Sequence, residues 1–296
     1  MSPILDTLEG YDAIRKDAAF VLVEDSIILF SGPDSESWLQ GQVTADLRNL
    51  GQAGLLYCMT SPTGQLIADG AIWPFVDGLL LSCPASSAPA VLARVDEMVV
   101  MEEVSARVIA SPVVSIQGPR AEAVAAAPSC QRLFHDRSGA GGFDLLLTPE
   151  EIPADARWAG NAALNIARLE AGIPWMGRDT TPKTLPPELG AAYEMAHISY
   201  TKGCYVGQEV LMRIHSRGRT NRRWVGLRAE GAMAEGEAVL VGGVNVGSLT
   251  SAAYSPSLGN IAAAMVRAEA ANPGIARVGS QPARIVPMPM MPALAA

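Results

Sequence analysis

The chain has 296 residues, 49% hydrophobic and 18% charged, with a formal net charge of −8. That length holds one large unit or two to three small domains with a real core, and the composition excludes a disordered chain. The acidic balance argues against a whole-surface nucleic-acid binder, so any anion site must be local.

No uncharged apolar run approaches the roughly 18–20 residues of a membrane-spanning helix. The N-terminal stretch MSPILDTLEGYDAIRKDAAF has no basic region followed by an apolar one, so it does not read as a signal peptide, and a cytoplasmic protein is expected. Next, AAFVLVEDSIILF (18–30) reads as two strands and a tight turn. In SGPDSESWLQGQVTADLRNL (31–50), Gly-Pro punctuates and Pro33 suits a first helical turn. Asp34 favours a helix start, and Leu39, Val43, Leu47 and Leu50 recur at helical spacing. Residues 54–83 read as a meander of strands, with turns at Pro62-Thr63-Gly64 and Asp77-Gly78. A helix is expected near 88–98, strands near 103–109 and 112–117, and a helix near 161–171. From Trp224 onward, short β-rich segments between glycines argue for a small β-barrel, and PMPMMPALAA reads as a frayed tail.

One internal echo stands out. ILFSGPDSESWL (28–39) and VSIQGPRAEAVA (114–125) share a plan of apolar strand, Gly-Pro and helix, with the glycines 118 − 32 = 86 residues apart. A βα unit used twice suggests an α+β body with two related halves. The four cysteines, Cys58, Cys83, Cys130 and Cys204, form no C-x-x-C pair, which argues against a disulfide framework and a protein-held metal site.

Four stretches in this order carry a resemblance: GPDSESWLQGQVTAD (32–46), RLEAGIPWMGRD with PPELG (168–179 and 186–190), KGCYVGQEVLMRIHSRG (202–218) and VGSLTSAAYSPSLGNIAAAMV (246–266). They resemble the YgfZ-type folate-binding proteins, relatives of the aminomethyltransferase (T-protein) of the glycine cleavage system. The resemblance implies an α+β, T-protein-like three-domain ring, with segments 1–110, 111–220 and a C-terminal barrel over 221–296. It implies a tetrahydrofolate-type ligand in a central channel. It also implies a role in maintaining iron–sulfur enzymes, including those that modify tRNA. A ring closed within one chain is compatible with a monomer.

Cys204 lies between Lys202 and a helix expected over Gln208–Ser216 with Gly207 as its cap. A nearby ammonium and a helix N-terminus both favour a thiolate. The alternative is a small core cysteine on a glycine-permitted turn. Gln208 and Glu209 are either first-turn helix residues or polar lining beside Cys204. Glu188 sits in a proline-stiffened loop, and its carboxylate can accept the paired N–H donors of a pterin edge. The resemblance implies that role, and the alternative is a solvated carboxylate. Five arginines fall within 213–223, Arg213 and Arg223 among them, and they suit the carboxylates of a folate tail better than RNA phosphates. Tyr205 is one of three aromatic residues near them, and both it and the arginines are expected to line the cofactor site. The net charge argues against direct tRNA binding. In aminomethyltransferases a Gly-Gly-x-x-Asp-Asp segment supplies a catalytic carboxylate. Here GQLIAD (64–69) keeps Asp69 but has Ala68 where the other acid would be. That departure, with the cysteine, leans toward a folate-binding accessory role acting through Cys204. Folate-dependent aminomethyl transfer or demethylation is the alternative.

Overall fold

The computed structural model describes residues 4–124, 131–147 and 151–291, and Cys130 lies outside them. The chain forms two compact units, both discontinuous in sequence. One comprises segments 1–22, 114–180 and 220–296, and the other 23–113 and 181–219.

The first unit opens with α1 (Thr7–Lys16), whose N-cap Asp6 accepts hydrogen bonds from the amides of Leu8 and Glu9, both at 2.9 Å. A four-stranded sheet follows in the order β1 (Ala19–Val23), β7 (Val113–Gln117), β9 (Gly142–Leu146), β8 (Gln131–Phe134). The short helix α4 (Ala121–Val124) leaves β7 through Gly118. Helix α5 (Asn161–Ala171) packs against α1 and against the barrel. That barrel is closed, in the order β10 (Arg222–Ala229), β13 (Gly259–Arg267), β12 (Val244–Ser255), β11 (Ala238–Val241), β14 (Gly274–Val278), β15 (Gln281–Val286). Closure removes the strand edges that an open sheet of this size would expose.

Two of the signature strings meet here. Arg168, 2% exposed, pairs with Asp179 at 2.5 Å and donates to Ser251 Oγ at 2.6 Å, while Asp179 also accepts from Thr250 Oγ1 at 2.6 Å. Glu170, fully buried, accepts from Ser255 Oγ at 2.5 Å and from the Tyr11 hydroxyl at 3.0 Å. Both buried charges are hydrogen-bonded on several sides, the condition under which buried ions are tolerated. These residues join α5 to the barrel. The expected frayed tail is corrected up to Met291: the amides of Met290 and Met291 donate to the Glu170 carbonyl at 2.8 and 2.9 Å. Its last residues, 292–296, lie outside the described residues.

The second unit is a five-stranded antiparallel sheet, order β3 (Leu55–Thr60), β4 (Leu66–Phe75), β5 (Gly78–Pro84), β2 (Asp25–Ser31), β6 (Ser105–Ala110). Its helices are α2 (Ser35–Gln42), α3 (Ala88–Met98), α6 (Ala191–His197) and α7 (Gln208–Arg217), with a 3₁₀ turn over Pro186–Leu189. One apolar cluster, including Phe30, Trp38, Leu39, Met59, Ile72 and Leu81, lies under α2 and α3. The expected meander is β3–β4–β5. The two strands read in 18–30 exist, but they pair with different sheets, and only Glu24 separates them. No helix among the described residues is long and apolar enough to cross a membrane.

The internal echo has a structural counterpart: β2 leads through Gly32 into α2, and β7 leads through Gly118 into α4. Both glycines have positive φ, 109° and 134°. A Cβ on Gly32 would lie 2.0 Å from the Glu103 carbonyl oxygen, and one on Gly118 would lie 2.4 Å from that of Asp17. Asp34 stands at the expected helix start, as the N-cap residue of α2, and its carboxylate accepts from the Glu103 amide at 2.8 Å. Helix α2 stops at Gln42, and Leu47 starts a separate 3₁₀ turn.

Candidate functional site

The site is built in the second unit from β3, β4, α6 and the segment that leads into α7. On β4 the alternation of a strand puts Ala68 and Asp69 on opposite faces. Ala68 is fully buried in the apolar cluster, opposite Met59, whereas Asp69 is half-buried opposite Cys58. A carboxylate at position 68 would therefore enter the core and would not join Asp69. Ala68 is therefore not the missing half of an acid pair beside Asp69.

Asp69 is held from α6. The Tyr193 hydroxyl donates to Asp69 Oδ2 at 2.5 Å, and Cys58 Sγ lies 3.4 Å from the same hydroxyl. Tyr193 is 7% exposed and Cys58 is sealed. Burial, then the Asp69 charge, pushes both the phenol and the thiol well above their ordinary values, so both are neutral donors at physiological pH. A neutral phenol aimed at a carboxylate is a charge-assisted donor that fixes one oxygen and leaves the group an acceptor. Neither Tyr193 nor Cys58 carries a site signal in the sequence. Tyr193 appears there as one aromatic in a short helix, with no spacing that ties it to a strand 124 residues earlier.

Helix α6 is braced by ring stacking. The His197 ring lies 3.9 Å from that of Tyr193, and the His215 ring 3.8 Å from that of Tyr200. Tyr200 donates to Glu194, and His215 Nδ1 lies 3.3 Å from the same carboxylate. Five residues before Tyr193, Glu188 is 2% exposed, and one of its oxygens accepts from the Leu185 amide at 3.1 Å. It is a sealed carboxylate on a 3₁₀ turn, not a solvated one.

The KGCYVGQEV segment divides sharply. Lys202 is 5% exposed, Cys204 is exposed, and Tyr205 is 6% exposed. The Lys202 ammonium donates to the carbonyls of Gln40, Val43 and Ala45 at 2.6, 2.7 and 2.6 Å, so its hydrogen bonds run to backbone and not to the thiol. Burial pulls Lys202 down to about 8 against the opposing charge of Asp46, which leaves it an ammonium at neutral pH. It also lies 5.2 Å from the Tyr205 ring centre. The Tyr205 hydroxyl is buried and has no hydrogen-bond partner among the described residues, and burial raises its pKa. Gly207 has φ 87°, where a Cβ would lie 2.4 Å from Thr60 Oγ1, so the turn into α7 requires glycine.

Of the remaining expected residues, Glu209 is exposed and pairs with Arg213 one turn on, at 2.6 Å. Gln208 is half-buried at the start of α7. Three polar residues at and just beyond the end of α2 serve the unit's own framework: Gln40 donates to Asp46 at 2.9 Å, Gln42 accepts from Arg94, and the Thr44 hydroxyl donates to the His197 carbonyl at 2.6 Å. Arg223 is exposed on β10, in the first unit, while Arg213 is in the second.

Residues 222–291 match the family model of the glycine cleavage T-protein C-terminal barrel domain. An aminomethyltransferase of Rubrobacter xylanophilus is 29% identical, over 94% of this chain and 84% of that protein. An aminomethyltransferase of Thermus thermophilus is 35% identical, over 52% of this chain and 46% of its own length. These relatives are aminomethyltransferases. The crystal structure of the glycine cleavage system aminomethyltransferase T from Bartonella henselae matches with a TM-score of 0.86. The match covers 97% of this chain and 90% of that one at 21% identity, a likeness of fold.

Proposed function

We propose that the chain is a folate-dependent one-carbon transferase, moving the methylene carbon of an aminomethyl donor to tetrahydrofolate, with the donor's amine as the leaving group. The observation that carries this reading is the half-buried Asp69 carboxylate, oriented by the Tyr193 hydroxyl at 2.5 Å. The donor set suits a reduced pterin: Asp69 and the sealed Glu188 are acceptors, and a pterin edge and its amines present N–H donors. When bound, the folate would supply the nucleophilic nitrogens that accept the carbon. Asp69 would take a proton from an attacking amine and return one to the departing amine, work that general acid–base groups support at about 10²–10⁴-fold. Tyr193 would hold the carboxylate in one orientation, and Glu188 would hold the pterin edge.

The test supplies the protein with tetrahydrofolate and an aminomethyl-loaded lipoyl carrier. Formation of methylenetetrahydrofolate, lost in Asp69→Asn, is expected. No product would sink the reading.

A second reading is supported by the exposure of Cys204 in a segment that resembles the YgfZ-type string. In it the protein is a folate-binding accessory to iron–sulfur enzymes, including tRNA-modifying ones, with the thiol acting on a partner. Rescue of a deletion strain's tRNA methylthiolation by wild type but not by Cys204→Ala would favour it. Equal rescue by both would remove it.

A further inference from the structure

A helix leaves its last carbonyls without intrahelical partners. Those of α2 and the residues just beyond it are taken up by one distant segment. Gly41 O accepts from the Val206 amide at 3.1 Å, and Thr44 O from the Ser199 amide at 3.0 Å. Between them, the carbonyls of Gln40, Val43 and Ala45 converge on a single point, the Lys202 nitrogen, at 2.6–2.7 Å. An ammonium has three N–H donors and no acceptor, and here three carbonyls take them. Asp46, the acid that acts on Lys202 through its charge, is itself held by Arg48 at 2.6 Å and by Gln40 at 2.9 Å. The negative end of α2 adds to the attraction. On the far side of Cys204, Thr60 Oγ1 donates to the Val206 carbonyl at 2.7 Å. The turn is thus clamped at 202 and at 206, with Gly203 and Cys204 exposed between.

We propose that Lys202 is a built-in cation, a positioning residue whose ammonium fills a three-carbonyl cage at the end of α2. It thereby fixes the turn that presents Cys204 and starts α7. The cage is a site for the ammonium class of cation, filled here by the chain's own side chain. Lys202 acts on the backbone, its three N–H donors all taken by carbonyls. This inference stands apart from the one-carbon reading, since its test uses neither folate nor donor.

The experiment uses the full chain with Lys202→Met and Lys202→Ala. Two quantities are read by peptide mass spectrometry: amide exchange across 199–206, and the pH profile of Cys204 alkylation by iodoacetamide. Exchange at Ser199 and Val206 should rise about tenfold or more as the clamp opens locally, with the alkylation midpoint unmoved. In Lys202→Ala, propylammonium should restore slow exchange, and tetramethylammonium, a cation with no N–H, should not. Unchanged exchange, equal rescue by both cations, or a midpoint raised by a full unit would each overturn the proposal. Should Lys202→Met fail to fold, Lys202→Ala prepared in propylammonium decides: removal of the amine must release the loop, and indifference to it overturns the inference.

Discussion

Asp69 is placed by two neighbours of opposite kind. Strand alternation turns it away from the core that holds Ala68, and the Tyr193 phenol fixes one of its oxygens. Replacing Asp69 by Asn should lower one-carbon turnover by about 10²–10⁴-fold while thermal unfolding stays close to wild type, because the side chain is only half-buried. Tyr193→Phe removes a hydrogen bond to a charged group, worth about 1.5–3 kcal/mol, so a loss of roughly ten- to a hundredfold is expected. Steady-state kinetics alongside a melting curve would check both. A Tyr193→Phe protein with full activity would show that the phenol does not orient the carboxylate. Ala68 looked like a lost acid because adjacent positions in a string look like adjacent groups in space, and in a strand they face opposite ways.

At the scale of elements, the β7–β9–β8 face of the first unit is held by one buried charge. Asp144 on β9 is fully buried, with Arg137 at 2.7 Å and His135 Nδ1 at 2.9 Å. Burial pushes its carboxyl upward, but the charges and hydrogen bonds of Arg137 and His135 outweigh that and hold it well below the carboxylate range. Arg137→Met would leave this buried carboxylate to His135 alone and should cost up to about 3–5 kcal/mol in urea unfolding. The sign of the pH dependence follows from linkage. A depressed carboxylate contributes stability above its unfolded value of about 3.9 and loses it as pH falls toward the folded value. The wild type should therefore keep its Asp144 contribution at neutral pH and lose it below about pH 4, and the gap to Arg137→Met should shrink as the pH falls. A gap that is constant with pH would mean that Arg137 acts through packing alone.

Over the whole molecule, two units with separate cores are each assembled from chain segments far apart in sequence. A ligand that binds only the folded state stabilises by mass action, about 2.7 kcal/mol at a hundredfold excess over its dissociation constant. Tetrahydrofolate should therefore raise the melting temperature by several degrees, and Glu188→Gln should abolish most of that rise without lowering the ligand-free transition by a comparable amount. A shift that survives Glu188→Gln would remove this residue as the pterin anchor.

Periodicity and turn chemistry in the sequence by themselves determined the helices at 88–98 and 161–171, the β3–β4–β5 meander, the start of α7 at Gly207 and the run of strands that closes as the barrel. These are local: the pattern of apolar residues and the glycine conformation are set within a few neighbours. The end of α2 at Gln42 depends on a long-range contact, because the charge that caps it arrives from residue 202. Only the tertiary structure decided that Asp34 would bond to Glu103, and that residues up to Met291 would be tied to Glu170. The pairing of Asp69 with Tyr193 belongs to the same class. A hydrogen bond between residues 124 apart leaves no local trace in composition or spacing, so it appears only once the sheet and its helix are brought together.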